Sequence, residues 1–229
     1  MTLIFAAAYM NNPSSMFGHT FLRFDRAGQD ERTRLLSYAV NYGANVGDDN
    51  GLLFAIHGLT GGYPGTYSVM PYHQLVRKYS DYENRDIWEY QLNLTGAEVR
   101  RLLEHLWELQ HSYAEYYFFD ENCSYQLLFL LDVARPGLAL TDRFEAYAIP
   151  VDTVRAVVEQ PGLLGRAVFR ESSRTRIERR LHALAPPERA LIERLAGGDL
   201  APDAPELQAL PAPRRAAVLE LAADVVSYR

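Results

Sequence analysis

The segment Phe118-Phe119-Asp120-Glu121-Asn122-Cys123-Ser124-Tyr125-Gln126-Leu127-Leu128 joins a polar turn directly to an apolar helix, and it holds the only cysteine among 229 residues. The Asp-Glu-Asn lead-in is irregular turn chemistry. Leu127, Leu128, Leu130, Leu131 and Val133 then carry a helix to about Ala134, and Pro136-Gly137 stops it. So apolar a helix has to be organised into a core, and that fixes Cys123 at its N-terminus. Unpaired N–H groups and the positive end of the helix dipole favour an anion there, which biases a thiol toward thiolate. The bland alternative is that a lone cysteine beside an apolar helix is a small buried hydrophobe.

A nucleophilic cysteine needs a base. The segment Asn11-Asn12-Pro13-Ser14-Ser15-Met16-Phe17-Gly18-His19-Thr20-Phe21-Leu22-Arg23-Phe24 offers His19 on a candidate strand, after a turn built from Asn-Pro-Ser-Ser. Alternation puts His19, Phe21 and Arg23 on one face. The next strand candidate, Leu36–Tyr42, supplies Asn41 as a group to orient the base, with Ser37 or Tyr42 as substitutes if the register differs. His19, Asn41 and Cys123 then form a Cys-His-Asn set. The competing reading of His19 is a histidine satisfied by a backbone partner. Asn122 and Ser124 support the turn or an oxyanion site, with Asn122 read chiefly as the helix cap. Arg23 either pairs with Glu121 or binds a substrate anion.

At these residues a resemblance becomes specific. Asn11 to Thr20, Arg85-Asp86-Ile87-Trp88-Glu89-Tyr90 and Glu121-Asn122-Cys123-Ser124-Tyr125 resemble the bacterial Lnb N-terminal periplasmic domain family over roughly residues 3 to 160. The layout, histidine on an early strand and Asn-Cys opening a later helix, is similar to the circularly permuted branch of the NlpC/P60 papain-like superfamily, which includes the lecithin:retinol acyltransferase-like proteins. The resemblance implies an α+β fold, an antiparallel sheet packed on helices. It also implies thiol chemistry and a periplasmic location. The expected organisation is a thiol-enzyme domain over 1–160 and a helical extension over 161–229. The expected function is a cysteine hydrolase or acyltransferase acting on amide, ester or thioester groups in peptidoglycan peptides or lipid and lipoprotein acyl chains. The alternative is a non-catalytic envelope module that binds peptide or glycan. Asn12, Ser15, Arg23, Glu121 and Tyr63 are the candidate substrate contacts, and no metal or organic cofactor is expected.

The remaining sequence sets limits. A net charge of −6 argues against a protein that grips nucleic acid through bulk charge. One cysteine excludes an intramolecular disulfide. The opening Met1 to Tyr9 is apolar but lacks a basic n-region, so it reads as a core strand and not a signal peptide. Since family members usually carry an export signal, the chain is expected to be a domain cut from a longer protein. Further strands are expected at Leu3–Tyr9, Thr66–Pro71 and Asp86–Leu92. The stretch from Gly43 to Gly65 reads as a long binding loop or lid.

Thr95 and Glu98 form a capping box for a helix over Gly96 to Ser112. Its Glu108 and His111 have the spacing of half a metal site but fall on the polar face with Glu104, where charged residues belong in water. Asp152 is expected to cap a helix after Pro150. Helices are also expected over Ser172–Leu184, Pro187–Ala196 and Pro213–Val226. The basic run Arg166, Arg170, Arg174, Arg176, Arg179 and Arg180 reads as a solvated face paired with Glu171 and Glu178, with peripheral membrane contact through these helices as the functional alternative.

Overall fold

The computed structural model describes residues 1–8, 16–26, 28–30, 33–46 and 51–228, with the backbone alone at 51, 52, 54 and 55. The chain forms two compact units, Met1–Arg170 and Glu171–Arg229. The first holds seven strands: β1 (Thr2–Ala6), β2 (His19–Phe24), β3 (Tyr38–Ala44), β4 (Tyr63–Pro71), β5 (Ile87–Leu92), β6 (Ala114–Tyr116) and β7 (Leu164–Arg170). They make one sheet in the order β6-β4-β3-β2-β1-β5-β7, with antiparallel pairing throughout. Its helices are α1 (Gly51–Thr60), α2 (Tyr72–Val76), α3 (Gly96–Glu108), α4 (Cys123–Ala134) and α5 (Pro150–Val158).

Alternation along the strands explains the layering. Leu3, Leu22 and Val40 point to one face, where Leu102 of α3, Leu127, Leu130 and Leu131 of α4 and Val157 of α5 cover them. Ile4, Phe21, Ala39 and Ile87 point to the other, under Tyr72, Leu75 and Tyr79. Strands covered on both sides have no polar side to show, which is why residues 3–6 of β1 read as an unbroken apolar run. Helix α4 is the centre of the larger core. Leu131→Ala is expected to cost about 2–5 kcal/mol, the range for a buried leucine deletion, whereas Leu103→Ala on the half-exposed face of α3 stays within about 0.5 kcal/mol. Urea denaturation of the two variants measures the contrast.

Two local expectations are corrected. The stretch 43–65 is not a continuous loop, because α1 occupies ten of its residues. Its glycines signalled a loop, yet Gly58, Gly61, Gly62 and Gly65 lie at close approaches: Gly58 faces the Phe118 ring and its carbonyl accepts from the Phe118 N–H at 2.8 Å. Asp152 does not cap α5. Pro150, with its fixed φ and missing N–H, starts that helix two residues earlier, and Asp152 instead pairs with Arg155 at 2.9 Å. The α3 capping box forms between Thr95 and Glu98, and α3 gives way to a 3-10 turn at Leu109–His111.

The second unit is a helical bundle of α6 (Ser173–His182), α7 (Pro186–Gly197), α8 (Pro205–Gln208) and α9 (Ala212–Tyr228). Ile177, Ile192, Leu207, Val218 and Leu221 make its own core. Ser172 caps α6, and Gly198, at φ +82°, ends α7 in a left-handed turn. On α6, Arg174 pairs with Glu178, Arg179 with Glu171, and Arg180 with Asp224 of α9. Arg166 and Arg170 belong to β7 of the first unit.

Candidate active site

Cys123 is the first residue of α4, and Asn122 is its cap. The Asn122 Oδ1 accepts from the N–H groups of Ser124 at 3.0 Å and Tyr125 at 3.3 Å and from the Ser124 hydroxyl at 2.7 Å. Its Nδ2 donates to the carbonyls of Phe118 and Ala148. Every polar atom of the Asn122 side chain is thereby used to fix the turn, and Ser124 is buried as part of it. The two N–H groups after Cys123 are taken by the cap, so they do not face a substrate. The Cys123 N–H meets the Tyr116 hydroxyl oxygen, at 3.3 Å.

His19 begins β2. Gly18 before it adopts φ +101°, and a Cβ there would meet the Phe5 ring at 2.3 Å, so only glycine brings the chain into the strand this way. On the neighbouring strand, Asn41 Oδ1 lies 2.5 Å from His19 Nε2. An amide oxygen can only accept, so Nε2 carries the proton and Nδ1 is left for the thiol.

Burial raises the Cys123 pKa, since the residue is only 1% exposed. The charge of His19 and its hydrogen bond to sulfur outweigh this, helped by the Thr20 N–H and the Tyr116 hydroxyl, and the thiol is held down at about 7. Tyr116 shifts the other way. Burial and the neighbouring thiolate push its hydroxyl well above the usual tyrosine range, so it keeps its proton.

Tyr42, Tyr63 and Tyr116 pack around Cys123 in one buried cluster. Tyr63 is therefore a wall of the site. Tyr42 stacks on Tyr116 with ring centroids 5.8 Å apart, and burial followed by the charge of Glu121 pushes its hydroxyl up to about 12. Glu121 is half-buried at the rim. Asn12 and Ser15 lie outside the described residues. Tyr116, the Thr20 N–H and Tyr79, whose ring lies 5.4 Å from that of His19, are the contributors that sequence reasoning missed. The one sequence signal for them was the abundance of tyrosine, 15 in all.

Arg23 is elsewhere. It pairs with Glu89 and Asp25, each at 2.7 Å, and its guanidinium lies 4.6 Å over the Tyr72 ring. Its partners are thus not Glu121. The reason is distance along β2: four residue steps of extended chain take it about 13 Å from His19.

The fold and site together define a sheet-and-helix domain with a thiol, an imidazole and an amide in one hydrogen-bonded chain at a helix N-terminus. Comparison with known families gives the lineage: the chain belongs to the Lnb N-terminal periplasmic domain family, which it matches over residues 1–160. Residues 167–229 match a family described as a domain of unknown function. No curated protein and no solved structure matches the chain. Among the described residues no helix is long and apolar enough to cross a membrane.

Proposed function

We propose that this protein is a cysteine-dependent acyl hydrolase or acyltransferase of the bacterial periplasm, built on a permuted papain-like fold of the NlpC/P60 type. The observation that carries the reading is the Cys123 thiol held at about 7 inside the core by His19, with His19 itself bonded to Asn41. A buried thiol without a partner would titrate high, so the pairing is chemistry that packing alone does not require.

In the proposed cycle His19 Nδ1 takes the thiol proton, and the sulfur attacks the carbonyl of an amide, ester or thioester. The developing oxyanion is stabilised by the Tyr116 hydroxyl, which keeps its proton, on the order of 3 kcal/mol for a good donor. Collapse breaks the bond to the leaving group, which departs with the proton from His19 and leaves an acyl thioester on Cys123. Water, or an acceptor amine or alcohol, then loses a proton to His19 and attacks the thioester. The acyl product leaves, and the sulfur departs as thiolate. Peptidoglycan peptides and lipid or lipoprotein acyl chains are the two substrate classes that suit the envelope setting. The thiol's deep burial favours a second reading, a closed, non-catalytic module that binds peptide or glycan.

The test is to trap the intermediate. Incubation with activated acyl esters and with peptidoglycan stem peptides is expected to add the acyl mass to the intact protein. The adduct should be cleaved by hydroxylamine and absent from Cys123→Ala. An unmodified protein with every substrate, together with ligand binding that survives Cys123→Ala, leaves the binding module as the correct reading.

A further inference from the structure

The segment Arg85 to Tyr90 marks the family in the sequence, yet none of its side chains touches the thiol. Arg85 is buried and stands at the end of an unusual piece of backbone. Helix α2 runs into a π-helical turn at Arg77–Tyr82, which carries Tyr79. Asn84 then adopts φ +53°, a left-handed conformation that asparagine tolerates better than most residues, and the chain doubles back so that the Arg85 N–H bonds the Tyr79 carbonyl at 2.8 Å. Single π-turns inside helices recur at functional sites because they aim a side chain that a regular turn would not.

The outcome is a run of contacts, guanidinium to tyrosine ring to imidazole, the two rings tilted by 35°. The Arg85 guanidinium lies 4.8 Å from the Tyr79 ring centroid, and the Tyr79 ring lies 5.4 Å from His19. The same guanidinium donates from Nε to the Ala7 carbonyl at 2.6 Å and from Nη2 to the Ala6 carbonyl at 2.8 Å. Ala6 is the register partner of His19 in the β1–β2 pair. Arg85 therefore reaches the imidazole's surroundings twice, through the strand beside it and through the ring tilted against it. The other charged groups packed here are Lys78, 5.2 Å from the Tyr79 centroid, and Glu83, which pairs with Arg85 at 2.9 Å.

We propose that Arg85 is a positioning residue for His19, acting through Tyr79 and the β1 backbone to hold the imidazole against Cys123. The proposal rests on the thiol–imidazole reading above. A planar fork reaching two carbonyls and stacking on an aromatic face is something lysine cannot reproduce, so Arg85→Lys keeps the charge and loses the geometry.

The experiment is the pH profile of Cys123 thiolate, followed by its ultraviolet absorbance and by iodoacetamide alkylation. Variants are Arg85→Lys, Tyr79→Leu, His19→Ala and the double variant His19→Ala/Arg85→Lys, each first checked for native circular dichroism. Arg85→Lys and Tyr79→Leu are expected to raise the apparent pKa, lowering the thiolate fraction at pH 7 by about threefold or more. Adding Arg85→Lys to His19→Ala should change nothing further, because an effect routed through His19 vanishes with it. If His19→Ala shifts the profile while Arg85→Lys and Tyr79→Leu leave it unmoved, the positioning role is wrong and the thiol–imidazole pair stands. If Arg85→Lys shifts the double variant as much as it shifts the wild type, the guanidinium acts directly on the thiol and the proposal also fails. If His19→Ala itself moves nothing, the pair and the proposal fall together.

Discussion

Replacing His19 by alanine is expected to raise the apparent pKa of Cys123 from about 7 to above the ordinary cysteine value of about 8.5. The direction follows from the balance of causes. Burial alone disfavours the thiolate, and in the native protein it is opposed first by the imidazole charge and then by hydrogen bonds from His19, Thr20 and Tyr116. Removing His19 removes the largest opposing cause and leaves burial in place. At pH 7 the thiolate fraction falls from about one half to about one-thirtieth, roughly a fifteenfold loss. His19→Gln separates the parts, because glutamine offers a hydrogen bond without charge and should restore only a minority of the shift. Absorbance titration reports the ionisation without requiring a reagent to reach a buried sulfur. A profile identical in all three proteins would show that the imidazole has no electrostatic hold on the thiol. The acyl-enzyme mechanism would then lose its base.

The reach of sequence reasoning is uneven for identifiable reasons. The strand carrying His19 and the helix opened by Cys123 are legible because apolar periodicity and punctuation by glycine and proline are local signals. Asn41 could be paired with His19 only as one option among neighbours, since register is set by cross-strand contacts that a single chain does not display. Tyr116 was invisible. It sits on a three-residue strand at the sheet edge, too short to show alternation, and its role comes from a hydroxyl meeting an N–H seven positions along the chain. Helix α1 was hidden because glycine reads as a loop residue, whereas Gly58 serves close approach of an aromatic ring. The π-turn that carries Tyr79 has no sequence signature at all. Arg23 was legible as an ion-pairing arginine but not by its partners, because Glu89 and Asp25 are brought to it by strand register and by the turn after β2.

That arginine carries the largest expected effect on stability. Arg23 is 1% exposed and sits between Glu89 and Asp25, with Glu89 also accepting from the Tyr72 hydroxyl at 2.8 Å and facing Arg170 at 3.2 Å. Arg23→Met leaves the buried Glu89 with only its peripheral partners, and breaking a buried pair in this way costs about 3–5 kcal/mol. The double variant Arg23→Met/Glu89→Leu is expected to recover much of that loss, because the cost comes chiefly from an uncompensated buried charge.

The pH dependence provides a second, independent reading. Burial pushes both carboxyls up, but Arg23 outweighs it and holds Asp25 and Glu89 below the usual carboxylate range. A carboxyl lowered in the folded state binds fewer protons there than in the unfolded chain. Its stabilising contribution is therefore complete above the unfolded pKa of about 4 and is lost as pH falls through the lowered folded value. Wild-type stability should accordingly fall on the acid side of about pH 4, and Arg23→Met should flatten that slope, since burial then acts on Glu89 with its main counterweight gone. Urea midpoints measured from pH 3 to 7 test both statements. An Arg23→Met variant as stable as the wild type, with the same acid slope, would mean that Tyr72 and Arg170 suffice to satisfy Glu89 and that Arg23 is dispensable to the sheet.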